Sequence, residues 1–463
     1  MDAGSVLGVH ERRAAVLLAA MALTLAGCVG QATGSPAGTS VTPVGTQSAT
    51  PSTTPRAIPA TTPTVASETP PGSAAGDAIP QLGLTDLATL GWQSADLMPS
   101  ESEIVATMIP WRGGFIAAGA SLDFERALAS PSPSGNPLDN LVQGEVWRSA
   151  DGLHWEHLPP DTTFAGATIR ILIPFGDGLL AVGSLGVCLP DACGGLPPNG
   201  GTAVWSSPDG VAWARVPEGG LGPAAVSSMV VVGDTLVAAG YVADTLGKSS
   251  ADGFGSPSDA AAWTSTDGRA WTPATMDPRG DGASSLVVDG PSVVALVRTG
   301  YTSQAWRSLD GGQTWAAADV LGDVLVDAGG ARAGSLLLTW RDADFVRTLV
   351  TAIPAASGPL TSTRPSELEN VEATSITSTG PAVLLAGNRL ERDADDLLNQ
   401  VAAVLYASDD LASWTAVDVP AAWKDAPPWA TALGVPGLLV EVRAPYPASP
   451  ASAALFWLGS PGG

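Results

Sequence analysis

Apolar residues in this chain fall in short runs rather than at helical spacing, and the runs come in pairs. Thr168 to Pro174 and Leu179 to Ser184 flank Gly176, Asp177 and Gly178, and Val226 to Val232 and Leu236 to Tyr241 flank Gly233 and Asp234. Short apolar runs bounded by turn residues predict strands joined as hairpins. A third feature follows such pairs: one short stretch recurs five times. Its positions are Trp147, Ser149, Asp151, Gly152 and Trp155; Trp205, Ser207, Asp209, Gly210 and Trp213; Trp263, Ser265, Asp267, Gly268 and Trp271; Trp306, Ser308, Asp310, Gly311, Gly312 and Trp315; and Tyr406, Ser408, Asp410 and Trp414. Self-similarity at a spacing of tens of residues signals units that bury their cores on one another.

Asp followed by Gly is a strong hairpin signal, because Asp accepts from nearby backbone N–H groups and Gly tolerates a positive φ. The two aromatics of each copy then fall on facing strands, where they are expected to form a cross-strand pair and fill the gap between sheets. The stretch resembles the Asp-box, or BNR repeat: Ser308, Asp310, Gly312, Thr314 and Trp315 match its Ser-x-Asp-x-Gly-x-Thr-Trp form, and the other copies are one residue shorter. The resemblance implies a β-propeller in which each box turns between the third and fourth strands of a blade, with a structural rather than catalytic role for its Ser, Asp and Trp.

The spacing of the copies counts blades. Asp151, Asp209 and Asp267 are 58 apart, Asp310 follows after 43 and Asp410 after 100, leaving room for a blade without a box. That blade is expected to use Val324 to Asp327, Ser335 to Trp340 and Val346 to Ile353, with Arg341 to Asp344 as a worn hairpin. Trp429 to Gly434, Leu438 to Val442 and Ala453 to Leu458 supply three further strands, and Gly91 to Leu97 is placed to add the fourth and close the ring, removing exposed sheet edges. The expected fold is all-β, a seven-bladed propeller over residues 81–463, with six blades as the alternative if the boxless region is an insertion.

Composition fits a turn-rich β chain: 54 Gly, 39 Pro and 15 Trp against 4 Tyr. The amino terminus carries an address. Arg12 and Arg13 precede an apolar segment, Ala14 to Leu25, and Leu25, Ala26, Gly27 and Cys28 match the lipobox of bacterial lipoproteins. Residues 1–27 therefore read as a cleaved signal peptide. By that resemblance Cys28 becomes a lipid-bearing amino terminus on the outer side of the cell membrane. Residues 28–80, rich in Ser, Thr, Pro, Ala and Gly, lack the large apolar residues a core requires and read as an extended, disordered tether.

Cys188 and Cys193 are expected to close a small disulfide in an oxidising compartment. They lie in one of four long connections, Asp123 to Gly144, Gly186 to Gly201, Ala243 to Asp259 and Asn388 to Leu398, which propellers place on one face. Long loops gathered there form the expected binding surface. The net charge of -24 argues against a nucleic-acid partner. Asp393, Asp395 and Asp396, or Asp342 and Asp344, could attract calcium, yet neither set completes a ligand loop, and His154 and His157 would point to opposite faces of a strand. No metal or cofactor is expected.

Asp-boxes occur in sialidases, whose chemistry uses three Arg, a Tyr activated by Glu, and an Asp acid/base. Here only Arg112 and Arg126 precede the first box in the folded part, and Arg170 to Pro174 is a poor match to the family's Arg-Ile-Pro motif. Tyr241, Tyr301 and Tyr446 remain outside the boxes, Tyr446 being near Arg443. The expectation is a non-catalytic surface propeller that binds a glycan or protein or acts as an assembly scaffold, with a sialidase-like glycoside hydrolase as the alternative.

Overall fold

The computed structural model describes residues 80–97, 103–122, 141–185, 201–217, 219–221, 224–243, 258–274, 276, 282–299, 302–323, 326–332, 334–341, 348–392, 398–423, 428–443 and 455–462. Residues 1–79, which include Cys28, the expected signal peptide and all of the expected tether but Pro80, lie outside them, as do Cys188 and Cys193.

After a short helix α1 (Leu84–Ala88) and strand β1 (Leu90–Ser94), the chain lays down six sheets in sequence order. Blade 1 holds β2 (Glu103–Trp111), β3 (Gly114–Leu122), β4 (Val142–Ser149) and β5 (Trp155–His157). Blade 2 holds β6 (Ala167–Phe175), β7 (Gly178–Leu185), β8 (Thr202–Ser207) and β9 (Ala214–Val216). Blade 3 holds β10 (Ala224–Val232), β11 (Thr235–Ala243), β12 (Ser258–Ser265) and β13 (Thr272–Ala274). Blade 4 holds β14 (Gly282–Asp289), β15 (Ser292–Thr299), β16 (Thr302–Ser308) and β17 (Ala316–Asp323). Blade 5 holds β18 (Val326–Arg332), β19 (Ser335–Arg341), β20 (Thr348–Pro354) and β21 (Thr361–Thr363). Blade 6 holds β22 (Val371–Ser378), β23 (Val383–Arg392), β24 (Leu398–Ser408) and β25 (Thr415–Val417). Blade 7 takes β26 (Pro428–Gly434), β27 (Gly437–Val442) and β28 (Leu455–Pro461), and β1 completes it from the other end of the chain.

The first strands of neighbouring blades touch all the way round, β26 meeting β2, so this is a closed seven-bladed propeller with those strands innermost. The six-blade alternative is excluded.

Both faces of each sheet are buried, which is why the strands read as continuous apolar runs. In β7, Leu179 and Ala181 pack toward blade 1, whereas Leu180 and Val182 pack toward blade 3. A cluster of this kind fills every gap between blades, including that between blades 7 and 1, where Phe456 and Leu458 meet Phe115 and Trp147. The repeated aromatics face the preceding blade: Trp205 and Trp213 share a core with Ile116 and Ala118. They do not form the expected cross-strand pair. Trp147 stands opposite His157 and Trp155 opposite Ser149, because the register places the second aromatic two residues short of the first one's partner.

Blade 5 corrects two sequence expectations. Its first strand is Val326–Arg332 rather than Val324 to Asp327, and Arg341 ends the second strand, so the supposed worn hairpin is the connection between second and third strands. At the true third-to-fourth turn Ile353 pairs with Leu336, as Ser308 pairs with Val293 in blade 4, and Ala355 follows two residues later where the boxes carry Asp. Both side chains are fully buried, so apolar packing replaces the polar turn.

Candidate binding face at the channel mouth

Consecutive strands within a blade are antiparallel, so the two ends of the propeller differ in content. One end carries the first-to-second and third-to-fourth turns. The other carries the second-to-third connections and the links between blades.

The five repeated hairpins lie on the first end, and their side chains organise backbone. In the second copy, Ser207 Oγ accepts from Gly210 N at 2.8 Å, and Asp209 Oδ1 accepts from Val211 N and Ala212 N, both at 2.9 Å. The indole of Trp213 returns a bond to Gly210 O at 3.2 Å. Ser149, Asp151 and Trp155 bond in the same way, as do Ser308, Asp310 and Trp315, where Gly312 N reaches Ser308 Oγ at 2.9 Å. Ser265 and Asp267, and Ser408, Asp410 and Trp414, repeat the turn bonds, and Trp271 is buried in the blade 2–3 core. The backbone N–H groups of Ala212 and Val211 hold the Asp209 carboxyl below its ordinary value, and those of Ala270 and Arg269 act likewise on Asp267. For Asp151 the largest cause is the His154 ring, whose Nδ1 lies 2.7 Å from Oδ2. His154 thus sits in a turn rather than on a strand, and His157 alone belongs to β5. Arg112 spans blades 1 and 2 here, donating to Pro208 O at 2.8 Å.

The opposite end is built differently. In every blade the innermost strand is bulged near its start: between Val105 and Thr107, Ile169 and Ile171, Val226 and Ser228, Ser284 and Val287, Val326 and Ala328, Ala373 and Ser375, and Pro428 and Ala430. A bulge re-aims the extra residue. Ala106, Arg170, Ser227 and Trp429 are exposed at these positions. The backbone approach is close enough that a Cβ on Gly183 would lie 2.0 Å from Thr168 O, and Gly119 and Gly240 meet the same constraint. The long connections belong to this end, but with narrower limits than expected: Gly144 lies in β4, Asp259 in β12, Asn388 in β23 and Leu398 in β24. Their interiors, including Arg126 and the acidic residues 393, 395 and 396, lie outside the described residues, as do Asp342, Asp344, Tyr301 and Tyr446.

Two polar networks occupy this end. In blade 1, Ser121 Oγ donates to Glu145 Oε1 at 2.6 Å, His157 Nε2 lies 3.1 Å from Glu145 Oε2, and His157 Nδ1 lies 3.8 Å from Glu103 Oε1. The carboxylate stands between hydroxyl and imidazole, so Ser121 lacks the adjacent imidazole base that activates a serine nucleophile. The two carboxylates take opposite ring nitrogens and cannot converge on one cation through His157. Among the described residues no group of three metal-ligating side chains gathers.

The second network joins blades 7 and 1. Arg443 Nε pairs with Glu441, its Nη2 donates to Val105 O at 2.6 Å, and its guanidinium lies 5.0 Å from the centre of the Trp429 ring. Glu441 is fully buried; burial pushes its carboxyl up, and the Arg443 charge opposes that shift. Across the mouth, burial also raises the Tyr241 hydroxyl, with Arg170 acting in the other direction. Tyr406, bonded by Arg389, is buried among the packing residues of blade 6. Among the described residues the arginines are thus dispersed over several blades.

The sequence reading singled out neither Trp429 nor the chain from Ser121 to Glu103. The available signal was an interruption of the apolar runs, as at Arg170 within β6.

No protein-family model matches the chain, and neither does any curated protein. Among solved structures it is similar to a protein of unknown function from Dyadobacter fermentans, at 16% identity over 80% of this chain and 99% of that one, TM-score 0.47. It is also similar to the phage phi92 endosialidase, at 10% identity over 81% and 69%, TM-score 0.39. A third is the Trypanosoma rangeli sialidase, at 10% identity over 80% of this chain but 59% of that one, TM-score 0.39. These are likenesses of fold.

Proposed function

We propose that the protein is an exported lipoprotein, anchored through Cys28, whose Asp-box propeller is a non-catalytic module that binds a glycan or protein ligand through the mouth face. The observation that carries this reading is the engagement of charge there. Glu145 is held by Ser121 and His157, and Arg443 by Glu441 and Val105 O. Groups committed to one another stabilise a surface and are poorly placed to attack a substrate. The strands that flank the long connections end here as well, which makes those connections the candidate source of ligand contacts.

The test is direct. The purified protein is applied to a glycan array, with proximity capture of its surface neighbours in parallel, and compared with variants whose connections at 124–139, 187–199 and 245–256 are replaced by Gly-Ser segments. A ligand lost with these connections supports the reading. Hydrolysis of a fluorogenic sialoside, or a ligand indifferent to all three replacements, refutes it.

A further inference from the structure

Trp429 is 51% exposed. The other large apolar side chains so exposed among the described residues are aliphatic: Val211, Leu309, Val320 and Val435. None of these lies on an innermost strand, whereas Trp429 is the bulged residue of β26. A half-exposed indole on an innermost strand has flat apolar surface left for a ligand to cover.

The indole is also held. The Arg443 guanidinium covers one ring face and is fixed by Glu441 and by Val105 O on the neighbouring blade. The ring is thus supported by Arg443 while the residue stays 51% exposed. A platform ordered in advance loses little conformational entropy on binding.

The surroundings select the ligand class. The adjacent innermost strands carry hydroxyls: Thr374 donates to Pro428 O, Ser375 lies 3.1 Å from Thr431, and Thr377 also meets Thr431. A single flat apolar surface beside hydroxyls complements a pyranose, whose C–H face meets the electron-rich ring face and whose edge makes hydrogen bonds. An apolar peptide side chain would instead require apolar walls. The charge of Arg443 is already matched by Glu441, and the chain carries a net charge of -24, so an anionic sugar gains little here.

We infer that Trp429 is a stacking platform for one ring of a neutral saccharide. This rests on the binding role proposed above and specifies its ligand.

The experiment uses the full chain labelled with 5-fluorotryptophan and titrated with neutral hexaoses of glucose (α- and β-linked), mannose, arabinose and N-acetylglucosamine. The Trp429 fluorine signal is identified as the one missing from W429A. One saccharide is expected to shift that signal saturably; W429A should weaken its binding by about tenfold and W429Y by less than about threefold, with both variants still folded by circular dichroism at the titration temperature. Binding without a shift at Trp429, and equal in W429A, overturns the platform while leaving the mouth-face reading intact. Failure of every hexaose to bind overturns the saccharide assignment, and the connection-replacement experiment, which does not involve Trp429, then decides the wider reading. Displacement of the Trp429 signal only by an apolar peptide likewise overturns it.

Discussion

The indole of Trp92 meets that of Trp423 edge to face, ring centres 5.0 Å apart, and donates to Asp418 O at 2.8 Å. Trp92 belongs to β1, the strand that closes blade 7, whereas Asp418 and Trp423 follow the last strand of blade 6. Opposite Trp92 stands Gly459, whose added Cβ would meet the indole at 2.8 Å. The closing strand is therefore keyed by one aromatic fitted into a space reserved for it. Trp92→Ala is expected to cost about 3 kcal/mol, since it removes a large packed ring and leaves a cavity at the seam. The checks are chemical denaturation and limited proteolysis, with the first cuts falling in blade 7. Unchanged stability would show that the seam is held elsewhere.

Much of the ring was legible in the sequence because its determinants are local. Ser207, Asp209 and Trp213 shape one turn within seven residues, and strands such as β7, buried on both faces, announce themselves as apolar runs. Blade 5 was misread where this local chemistry gives way: Ile353 and Ala355 hold its turn by burial, and Arg341, which opened the polar stretch that resembled a hairpin, ends a strand. The mouth was legible least. Arg443 reaches Val105 across 338 residues, and a bulge moves Trp429 out of the strand's alternation, so no periodic pattern encodes either position.

The repeated hairpins should make the propeller acid-sensitive. Asp209, Asp267 and Asp410 have carboxyls held below the ordinary 3.8, chiefly by backbone N–H groups. A depressed folded-state value means that the stabilisation is complete above the unfolded value and is lost as pH falls through the folded one. Melting temperature should therefore drop below about pH 4, and the drop should be shallower in a triple variant carrying D209N, D267N and D410N, which has lower stability at neutral pH. Parallel acid profiles for the two proteins would remove these carboxylates from the explanation.

Gly183 presents a different vulnerability. Because the bulge of β6 brings Thr168 O to 2.0 Å from where a Cβ would stand, Gly183→Ala must push two strands of blade 2 apart. A loss of about 3 kcal/mol or more is expected, comparable to severe overpacking, against about 1 kcal/mol for Gly176→Ser, where the turn is open and only the left-handed backbone, φ +57°, resists a side chain. Equal melting of the two variants would mean that the bulge relaxes freely.

The anchoring proposal separates cleanly from the fold. Wild-type protein should incorporate labelled palmitate and accumulate as an uncleaved precursor with globomycin, while Cys28→Ala should take up no label, be indifferent to globomycin and still fold. Identical labelling of both proteins would place the lipid, and hence the anchor, on another residue.

The pair of Arg443 and Glu441 predicts a pH response of opposite sign to that of the hairpins. Glu441 is 2% exposed, and burial raises its carboxyl while Arg443 opposes the rise. In Arg443→Ala the carboxylate loses that support and its value climbs further. A carboxyl raised above its unfolded value contributes stability that is full below the unfolded value and is lost as pH rises through the folded one. The variant should accordingly be about 3 kcal/mol less stable than wild type at pH 7, with the deficit shrinking toward pH 5. Adding Glu441→Gln should recover part of the loss and abolish its pH dependence, because the amide has no charge to strand. Denaturant titrations of wild type and the two variants at both pH values provide the check; a deficit independent of pH would trace the loss to the Arg443 bond with Val105 O and its packing on Trp429 instead.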